Sequence, residues 1–249
     1  MQKSARTPRV SEQTPSQVRG RPRAFDRETA LARATRVFWV KGYQATSMAD
    51  LTEAMGIGAP SLYAAFGSKE ALYAEAIRHY RDNYEGLFWT RFYAARTGRE
   101  AIECLLLDSA AALSGARGDI PNGCMVALSS VGSEGNEQLG ELVRAARAGG
   151  LDRVKGRLRQ AVADGELPAS ADLHALARFV QTIQVGMSIL ARDGATRAEL
   201  EAVAHTSMAS WDALIKVRTN TKSTSSRAKK SSQTAARSLS RAHRGAPKK

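Results

Sequence analysis

Apolar residues recur every three or four positions along almost the whole stretch from residue 26 to residue 216, and single glycines interrupt this pattern at intervals. Such spacing places the apolar side chains on one face of an amphipathic helix. No run of alternating apolar and polar residues bounded by turn residues indicates a strand. With 249 residues, the chain is long enough to bury a sizeable core. The sequence therefore predicts an all-α protein.

The first two predicted helices have clear start and stop signals. Asp26 suits the N-cap of a first helix that ends at Gly42. After a short loop, Ser47 and Asp50 have the spacing of a capping box, in which each side chain accepts a hydrogen bond from the other residue's backbone N–H. The second helix is expected to end at Gly56, because glycine readily adopts the left-handed conformation found at helix C-termini.

A third short helix is predicted between Gly58 and Gly67, with a length of about three turns. Pro60 suits its first turn, where a backbone N–H has no helical partner in any case. Leu62 and Phe66 are four residues apart and therefore share its apolar face. Two short helices joined by a glycine turn are typical of a helix-turn-helix unit.

Longer helices are predicted after this unit. Ser68 suits the N-cap of a fourth helix that is expected to reach Phe88. The Gly149-Gly150 pair leaves open whether the segment around it forms two helices or one kinked helix. Further helices, separated by glycine or proline, are predicted at about 98–114, 123–131, 135–164, 171–193 and 196–216.

The net charge of +13 is concentrated at the two ends of the chain. Residues 1–25 contain six basic residues and one acidic residue, and residues 216–249 contain eleven basic residues and no acidic one. Both ends are polar and lack apolar periodicity, so we expect them to be unstructured. Basic arms beside a slightly acidic body favour binding to a polyanion such as nucleic acid, although such tails also serve only to keep a protein soluble.

Several classes of protein are disfavoured by the sequence. It has no apolar run long enough to span a bilayer and no secretory signal, so we expect a cytoplasmic, nucleoid-associated protein. Cys104 and Cys124 are too few for a disulfide framework and have no metal-ligand spacing, so neither a cofactor nor a metal is expected. No catalytic motif is recognisable and the four histidines are scattered, so we do not expect an enzyme.

Four short segments of the N-terminal helices resemble a known family. In their spacing, their turn glycines and their Phe-x-Ser-Lys-Glu signature they resemble the DNA-binding domain of TetR/AcrR-type transcriptional regulators. The resemblance covers residues 25 to 80, and the rest of the chain is similar only in being helical and of suitable length. The segments are Thr46–Leu51 (TSMADL), Ala54–Ile57 (AMGI), Ser61–Tyr63 (SLY) and Phe66–Leu72 (FGSKEAL).

The resemblance implies a homodimer whose third helices enter the major groove of a palindromic operator in double-stranded DNA. It also implies a C-terminal domain that dimerises and binds a small-molecule effector, and repression that the effector relieves. On this basis the chain divides into a basic disordered arm (1–24), a helix-turn-helix domain (25–70) whose last residues begin a long connecting helix at 68, an effector-binding and dimerisation domain (71–216), and a disordered tail rich in Lys, Arg and Ser (217–249).

Residues predicted to contact DNA lie in the arm and in the first four helices. The resemblance implies phosphate contacts from Thr46, Ser47, Tyr63 and Lys69. Each has a simpler interpretation: Ser47 as only a cap, Tyr63 as a packed ring, and Lys69 as a solvated side chain. The full set is Arg21, Arg23, Thr46, Ser47, Ala59, Pro60, Ser61, Tyr63, Ala64, Ala65 and Lys69.

The outward face of the third helix offers few hydrogen-bonding groups. Ser61 and Tyr63 supply hydroxyls, whereas Ala64 and Ala65 stand where family members often carry larger polar residues. We therefore expect few side-chain hydrogen bonds to bases. Thymine-methyl contacts, DNA shape and arm arginines would supply the remaining specificity. A sequence-independent DNA-binding protein driven by its tails is the alternative, because the tails carry most of the positive charge.

Candidate ligand-binding residues in the C-terminal part are Trp89, Phe92, Cys124, Met125 and Gln184. Aromatic and methionine side chains at helical spacing equally form ordinary core, so the effector stays unidentified. Cys124 has two interpretations, a thiol sensor that reacts with a chemical signal or a small buried residue.

An apolar face in residues 171–216 is predicted either to pair, together with the final helix, with its copy in a four-helix dimer interface or to pack in the core. Its members are Leu173, Leu176, Ala177, Val180, Ile183, Gly186 and Met187.

Overall fold

The computed structural model describes residues 25–211 and residue 215, and every regular element in that part of the chain is an α-helix. The all-α prediction is therefore confirmed. The predicted arm (1–24) and tail (217–249) lie outside the described residues. In chain order the helices are α1 (Arg27–Ala45), α2 (Met48–Met55), α3 (Ala59–Phe66), α4 (Lys69–Tyr84), α5 (Gly86–Ala94), α6 (Gly98–Leu113), α7 (Met125–Leu128), α8 (Glu137–Ala163), α9 (Leu173–Arg192) and α10 (197–211).

The predicted caps of the first helices are present. Asp26 accepts a hydrogen bond from the backbone N–H of Glu28, and Ser47 and Asp50 form the reciprocal capping box of α2. Gly42 interrupts α1 with a φ of 79°, a conformation in which a residue without a Cβ avoids steric strain. The chain can therefore turn sharply between α1 and α2.

Helices α1 to α4 pack around one apolar cluster that continues into the C-terminal part of the chain. The cluster extends to Met125 of α7 and to Leu139 and Val143 of α8. Because protein interiors are close-packed, a displacement of α7 or α8 must be accommodated by the N-terminal helices. The buried residues of α1 to α4 include Phe38, Trp39, Leu51, Leu62, Phe66, Leu72, Tyr73, Ile77 and Tyr80.

Several helix lengths differ from the predicted ones. Helix α4 ends at Tyr84 rather than at Phe88, and a separate helix α5 begins at Gly86, a residue that disfavours continuous helix. Helix α3 has eight residues, about two turns rather than three. Helix α7 has only four residues, so the other five residues of the helix predicted at 123–131 are not helical.

Helix α8 settles the question raised by the Gly149-Gly150 pair, because it is one helix from Glu137 to Ala163. Leu151, Val154 and Leu158 are buried along it, and this apolar face offsets the low helix propensity of the glycines.

A second apolar cluster joins α5, α6, α8, α9 and α10. Next to it, the carboxylate of Asp108 is almost fully buried in α6 and accepts hydrogen bonds from Arg91 of α5 and Arg117 of the following loop. These contacts hold α5 against α6. The buried residues of the cluster include Phe92, Ile102, Leu105, Leu106, Leu158, Val180, Met208 and Trp211.

Candidate nucleic-acid interface and cavity

The outer surface of α3 consists of small side chains on a firmly held helix. Leu62 and Phe66 are buried in the N-terminal core and fix the helix from below. The ring of Tyr63 is 49% exposed, so it does not pack in the core. The predicted residues that face solvent along α3 are Ala59, Pro60, Ser61, Tyr63 and Ala64, while Ala65 is half-buried.

Arg27 of α1 fixes the C-terminal half of α3. Its guanidinium lies 4.3 Å from the centre of the Phe66 ring, donates to the Ala65 carbonyl at 3.3 Å, and pairs with Glu75 of α4 at 2.8 Å. The half-burial of Ala65 follows from this contact. Helix α3 is therefore tied to both α1 and α4, an arrangement that limits its rotation.

Lys69 and Ser47 lie at the N-termini of α4 and α2. The Lys69 ammonium is 4.4 Å from the centre of the Tyr43 ring, a cation–π contact that positions the charge near the start of α4. Burial, and then the hydrogen bond to Glu70, raise the pKa of Tyr43 to about 12. The exposed Ser47 hydroxyl accepts from the Asp50 N–H. Ser47 is a cap, and its position also leaves its hydroxyl accessible from outside.

Thr46 does not belong to this surface. Only 1% of the residue is exposed, and its hydroxyl donates to the carbonyl of Gly42 at 2.6 Å. The side chain satisfies a carbonyl freed by the break in α1, so it is unavailable to a phosphate. Arg21 and Arg23, the predicted arm residues, lie outside the described residues.

Much of the positive charge on α1 is compensated within the fold, and α2 carries no basic residue. Lys41 pairs with Asp50 at 2.6 Å, and hydrogen bonds from Lys41 and from Ser47 lower the pKa of Asp50 to about 2. Arg36 pairs with Asp119 in the loop after α6. A polyanion would therefore gain little attraction from these helices.

A cavity lies where the end of α4 meets α5, α6, α7, α8 and α9, and its empty volume including the mouth is about 810 Å³. Three predicted ligand-binding residues, Trp89, Cys124 and Gln184, line it. Phe92 and Met125 do not, because both are buried in the apolar clusters. Other apolar residues on its wall are Phe88, Leu113, Val126, Leu151, Val154 and Val185.

The sequence predicted Gln184 on the cavity wall, but it predicted neither the hydrogen-bond partner of Gln184 nor the nearby Arg147. Gln184 donates to the Ser109 hydroxyl at 2.9 Å, and Gln181 donates to the Arg147 carbonyl at 3.1 Å. The Arg147 guanidinium donates to the backbone carbonyls of α7 and Ser129. These residues are far apart in sequence, so no local pattern could have brought them together.

Glu85 and Arg153 form the strongest charged contact of the wall. Glu85 stands between α4 and α5 and accepts from Arg81 at 2.8 Å and from Arg153 of α8 at 2.7 Å. Burial alone would raise the pKa of Glu85, but the hydrogen bonds from the two arginines lower it overall. Arg153 also lies 5.1 Å from the centre of the Trp89 ring.

Cys124 is half-buried at the N-cap of α7. Its sulfur accepts from the Tyr80 hydroxyl at 3.2 Å and from the Ala127 N–H at 3.4 Å. Its own backbone N–H donates to the Ser188 hydroxyl of α9 at 2.7 Å. The thiol is thus held at a fixed place on the cavity wall.

Arg192, at the end of α9, connects the C-terminal helices to α1. Its guanidinium donates to the carbonyls of Trp39 and Val40, both at 2.8 Å, and to that of Asn122 at 3.1 Å. The Trp39 indole in turn donates to the Gly123 carbonyl at 2.9 Å. Helix α9 lines the cavity, and α1 packs against α2 in the N-terminal core. These hydrogen bonds therefore connect the cavity region to the helix-turn-helix unit through α1.

The predicted apolar face of α9 lies mostly inside the chain. Leu176, Ala177, Val180 and Met187 are buried, so they form core rather than an interface. A neighbouring surface, here called the α9–α10 groove, is partly open instead. It is lined by Phe179, Ile183, Ala202, Val203, Thr206, Ser207 and Ser210, and the nearby Ile189 and Leu190 are exposed.

Together, a short outward helix on a helix-turn-helix support and a helical body with a cavity define a DNA-binding transcriptional regulator. The family model described as "Bacterial regulatory proteins, tetR family" matches residues 30–76. The HTH-type transcriptional repressor ComR of Escherichia coli is 35% identical over 201 residues, which covers 80% of this chain and 94% of the relative. The chain belongs to the TetR family.

One solved structure and a second sequence relative agree with this assignment. The regulator CifR, complexed with 26bp double-strand operator DNA, is 41% identical with a TM-score of 0.72, and the match covers 77% of this chain and all of CifR. The HTH-type transcriptional repressor BdcR of Escherichia coli is 48% identical over 65 residues, which is 26% of this chain and 33% of BdcR. Within the described residues, no helix is long and apolar enough to cross a membrane.

Proposed function

We propose that this chain is a homodimeric, cytoplasmic repressor that binds a palindromic operator through α3 and releases it when a small molecule occupies the cavity. In this proposal residues 25–70 read DNA and residues 71–216 bind the effector and the second subunit. The repressor names of two relatives and the operator complex of CifR support it.

The observation that carries the proposal is the exposed surface of α3 on its buried support. A major groove about 12 Å wide admits a helix, and the small side chains of Ala59, Ser61 and Ala64 permit close approach to base edges. Methyl groups can contact thymine methyls, and the Tyr63 hydroxyl can reach a phosphate. Lys69 and Ser47 lie at helix N-termini, where backbone N–H groups favour phosphate binding.

Direct readout by this surface would be sparse. We therefore expect most of the DNA-sequence specificity to come from DNA shape and from arginines of the arm such as Arg21 and Arg23. A bound structure that showed several bidentate side-chain contacts from α3 to bases would contradict this division.

We assign the second subunit to the α9–α10 groove. Phe179, Ile183 and Val203 are only partly buried there, and exposed apolar surface on a helical pair is typical of an association site. Two such helix pairs related by a two-fold axis would form a four-helix interface. Ile183→Arg should give a monomer in light scattering coupled to size exclusion, whereas Tyr93→Arg, at an exposed ring elsewhere, should remain a dimer.

The DNA proposal is tested by fluorescence anisotropy on a labelled fragment from upstream of the chain's own gene, against excess random DNA. Tyr63→Phe removes only the exposed hydroxyl and should weaken operator binding by about five- to tenfold, the loss of one hydrogen bond to a charged phosphate. Tyr93→Phe is the matched control, because Tyr93 is 63% exposed on α5, outside the helix-turn-helix unit. It should bind like the unaltered protein.

Two outcomes would contradict the proposal. Equal affinity for random and upstream DNA, lost when residues 217–249 are deleted, would instead indicate a sequence-independent DNA-binding protein. A monomer that binds no promoter fragment would exclude the TetR-type mode altogether.

Cys124 supports a second candidate, a regulator that senses thiol-reactive compounds. The sulfur lies on the cavity wall and accepts from the Tyr80 hydroxyl, so a compound in the cavity would meet it. Under this proposal, alkylation of Cys124 by iodoacetamide should lower operator affinity, and Cys124→Ser should abolish that response. Cys104→Ser is the control, because Cys104 lies outside the cavity lining.

A further inference from the structure

The cavity wall carries an excess of positive charge on an otherwise apolar surface. Its fully charged side chains are Glu85, Arg147 and Arg153, two cations against one anion. Glu85 already shares its carboxylate between Arg153 and Arg81. The walls contributed by Phe88 and Trp89 are aromatic.

Within the part of the chain that the structure describes, Arg147 has no carboxylate partner. Its guanidinium donates to the carbonyls of Val126, Ala127 and Ser129, and no acidic side chain among residues 25–211 forms a salt bridge with it. Carbonyl oxygens carry only partial negative charge, so the positive charge of Arg147 is incompletely balanced. In a low-dielectric cavity such a charge attracts an anion more strongly than it would in water.

Arg153 is placed to meet a ligand directly. Its Nη1 donates to Glu85 at 2.7 Å, and its guanidinium lies 5.1 Å from the centre of the Trp89 ring. A guanidinium has five N–H donors in a planar fork, and the Glu85 bond uses one of them, so an incoming carboxylate can bind the others and draw Arg153 away from Glu85. The adjacent indole could hold the apolar body of the same ligand.

We infer that the cavity selects small amphipathic monocarboxylates, an aromatic or aliphatic body with one carboxylate, and that the carboxylate binds Arg153 in competition with Glu85. This inference rests on the proposed function, since it names the chemistry of the proposed effector. Neutral molecules of the same shape would leave the excess charge unbalanced, and cations would be repelled.

The position of Glu85 connects this competition to DNA binding. Glu85 directly follows α4, the helix that begins at Lys69 beside the proposed DNA surface, and its bond to Arg153 ties that end of α4 to α8. A ligand carboxylate that binds Arg153 in place of Glu85 breaks this contact between α4 and α8. Helix α4 then gains freedom at one end, and the spacing of the two α3 helices in a dimer is no longer fixed. Operator affinity should fall as the acid binds.

The test compares ligands that differ only in charge. Two matched sets are phenylacetate, phenylacetamide and phenethylamine, and hexanoate, hexanamide and hexylamine. Binding to the full chain is measured by isothermal titration calorimetry at neutral pH, with tryptophan fluorescence as a second readout of the Trp89 environment. In at least one set the acid should bind about tenfold more tightly than the amide, as expected for one charge-assisted hydrogen bond, and the amine should bind most weakly.

Three variants locate the selectivity. Arg153→Gln should bring the acid-to-amide ratio close to one. Glu85→Gln should raise acid affinity by about fivefold or more while leaving amide affinity unchanged, because it removes the competing carboxylate. Glu141→Gln is the control, since Glu141 lies on an exposed part of α8, away from the cavity lining, and pairs with Arg144. If circular dichroism shows that Arg153→Gln does not fold, the inference is tested by Glu85→Gln alone, and unchanged acid affinity in that variant would overturn it.

Two results would overturn the inference: in both sets an amide or amine that binds as tightly as its acid, or no acid binding at millimolar concentration. Anisotropy on the upstream DNA fragment separates this inference from the proposed function. If the protein binds the operator but does not prefer acids, the proposed repressor function stands and the proposed ligand class is wrong. If it prefers acids but does not bind the operator, the ligand class stands and the repressor function is wrong.

Discussion

The hydrogen bonds of Arg192 should contribute both to stability and to communication between the cavity and α3. In Arg192→Gln the side chain is too short to span to Trp39, Val40 and Asn122, so three carbonyls lose a charged donor. Trp39 and Val40 lie just before the break in α1, where cations also interact favourably with the helix dipole. Burial lowers the pKa of Arg192, but the guanidinium stays protonated near neutral pH.

The magnitude follows from the number of hydrogen bonds and their exposure. A hydrogen bond from a charged donor contributes about 1.5–3 kcal/mol when buried. The Arg192 residue is exposed overall and only part of its guanidinium is covered, so solvent reduces each contribution to about 0.7 kcal/mol. Three bonds therefore give a loss of about 2 kcal/mol in the free energy of unfolding. With a urea m-value of about 3 kcal/mol/M, the midpoint should decrease by about 0.7 M.

The assay is urea unfolding followed by far-ultraviolet circular dichroism at one fixed protein concentration, because the apparent stability of any protein that self-associates depends on concentration. Arg178→Gln is the control on the same helix, since Arg178 donates a hydrogen bond to Gln181 of α9 itself. Equal midpoints for Arg192→Gln and the unaltered protein would refute the reasoning. Arg192→Lys should recover only part of the loss, because an ammonium cannot reproduce the planar fork.

Three other perturbations test separate contacts. Leu62→Ala should lower the free energy of unfolding by about 2–5 kcal/mol in chemical denaturation, because Leu62 is fully buried under α3. Gly123→Ala should lower the melting temperature, because an added Cβ would lie 2.6 Å from Leu128 Cδ1 at a φ of 79°. The pKa of Asp50 is lowered to about 2 in the folded state, so its ionised carboxylate stabilises the fold above its ordinary pKa of 3.8, and this contribution is lost as pH falls toward 2. Asp50→Asn should remove that part of the acid dependence of stability, as measured by unfolding at a series of pH values.

Local signals in the sequence predicted the helix-turn-helix unit well. The caps at Asp26 and Ser47 and the break at Gly42 depend on neighbouring residues alone, so their positions follow from the order of side chains. The buried pair Leu62 and Phe66 follows from helical spacing. These features were confirmed because tertiary contacts do not oppose them.

Features that depend on distant contacts could not be predicted in the same way. Thr46 was expected to face DNA, yet its hydroxyl donates to Gly42 across the break in α1. Phe92 and Met125 were expected in the cavity, yet packing places both in the core. The charged cavity wall and the Arg192 hydrogen bonds join residues 68 to 153 positions apart, and only the fold brings them together.

The small side chains on α3 have a consequence for evolution. Ala59 and Ala64 end at their Cβ atoms and face solvent, so larger residues there would not disturb the packing of Leu62 and Phe66. After gene duplication, one copy could acquire a new DNA target by a single exchange at either alanine, while its helical scaffold remained intact. Because these positions carry no packed side chain, the DNA sequence that such a protein recognises could change without a loss of folding stability along the way.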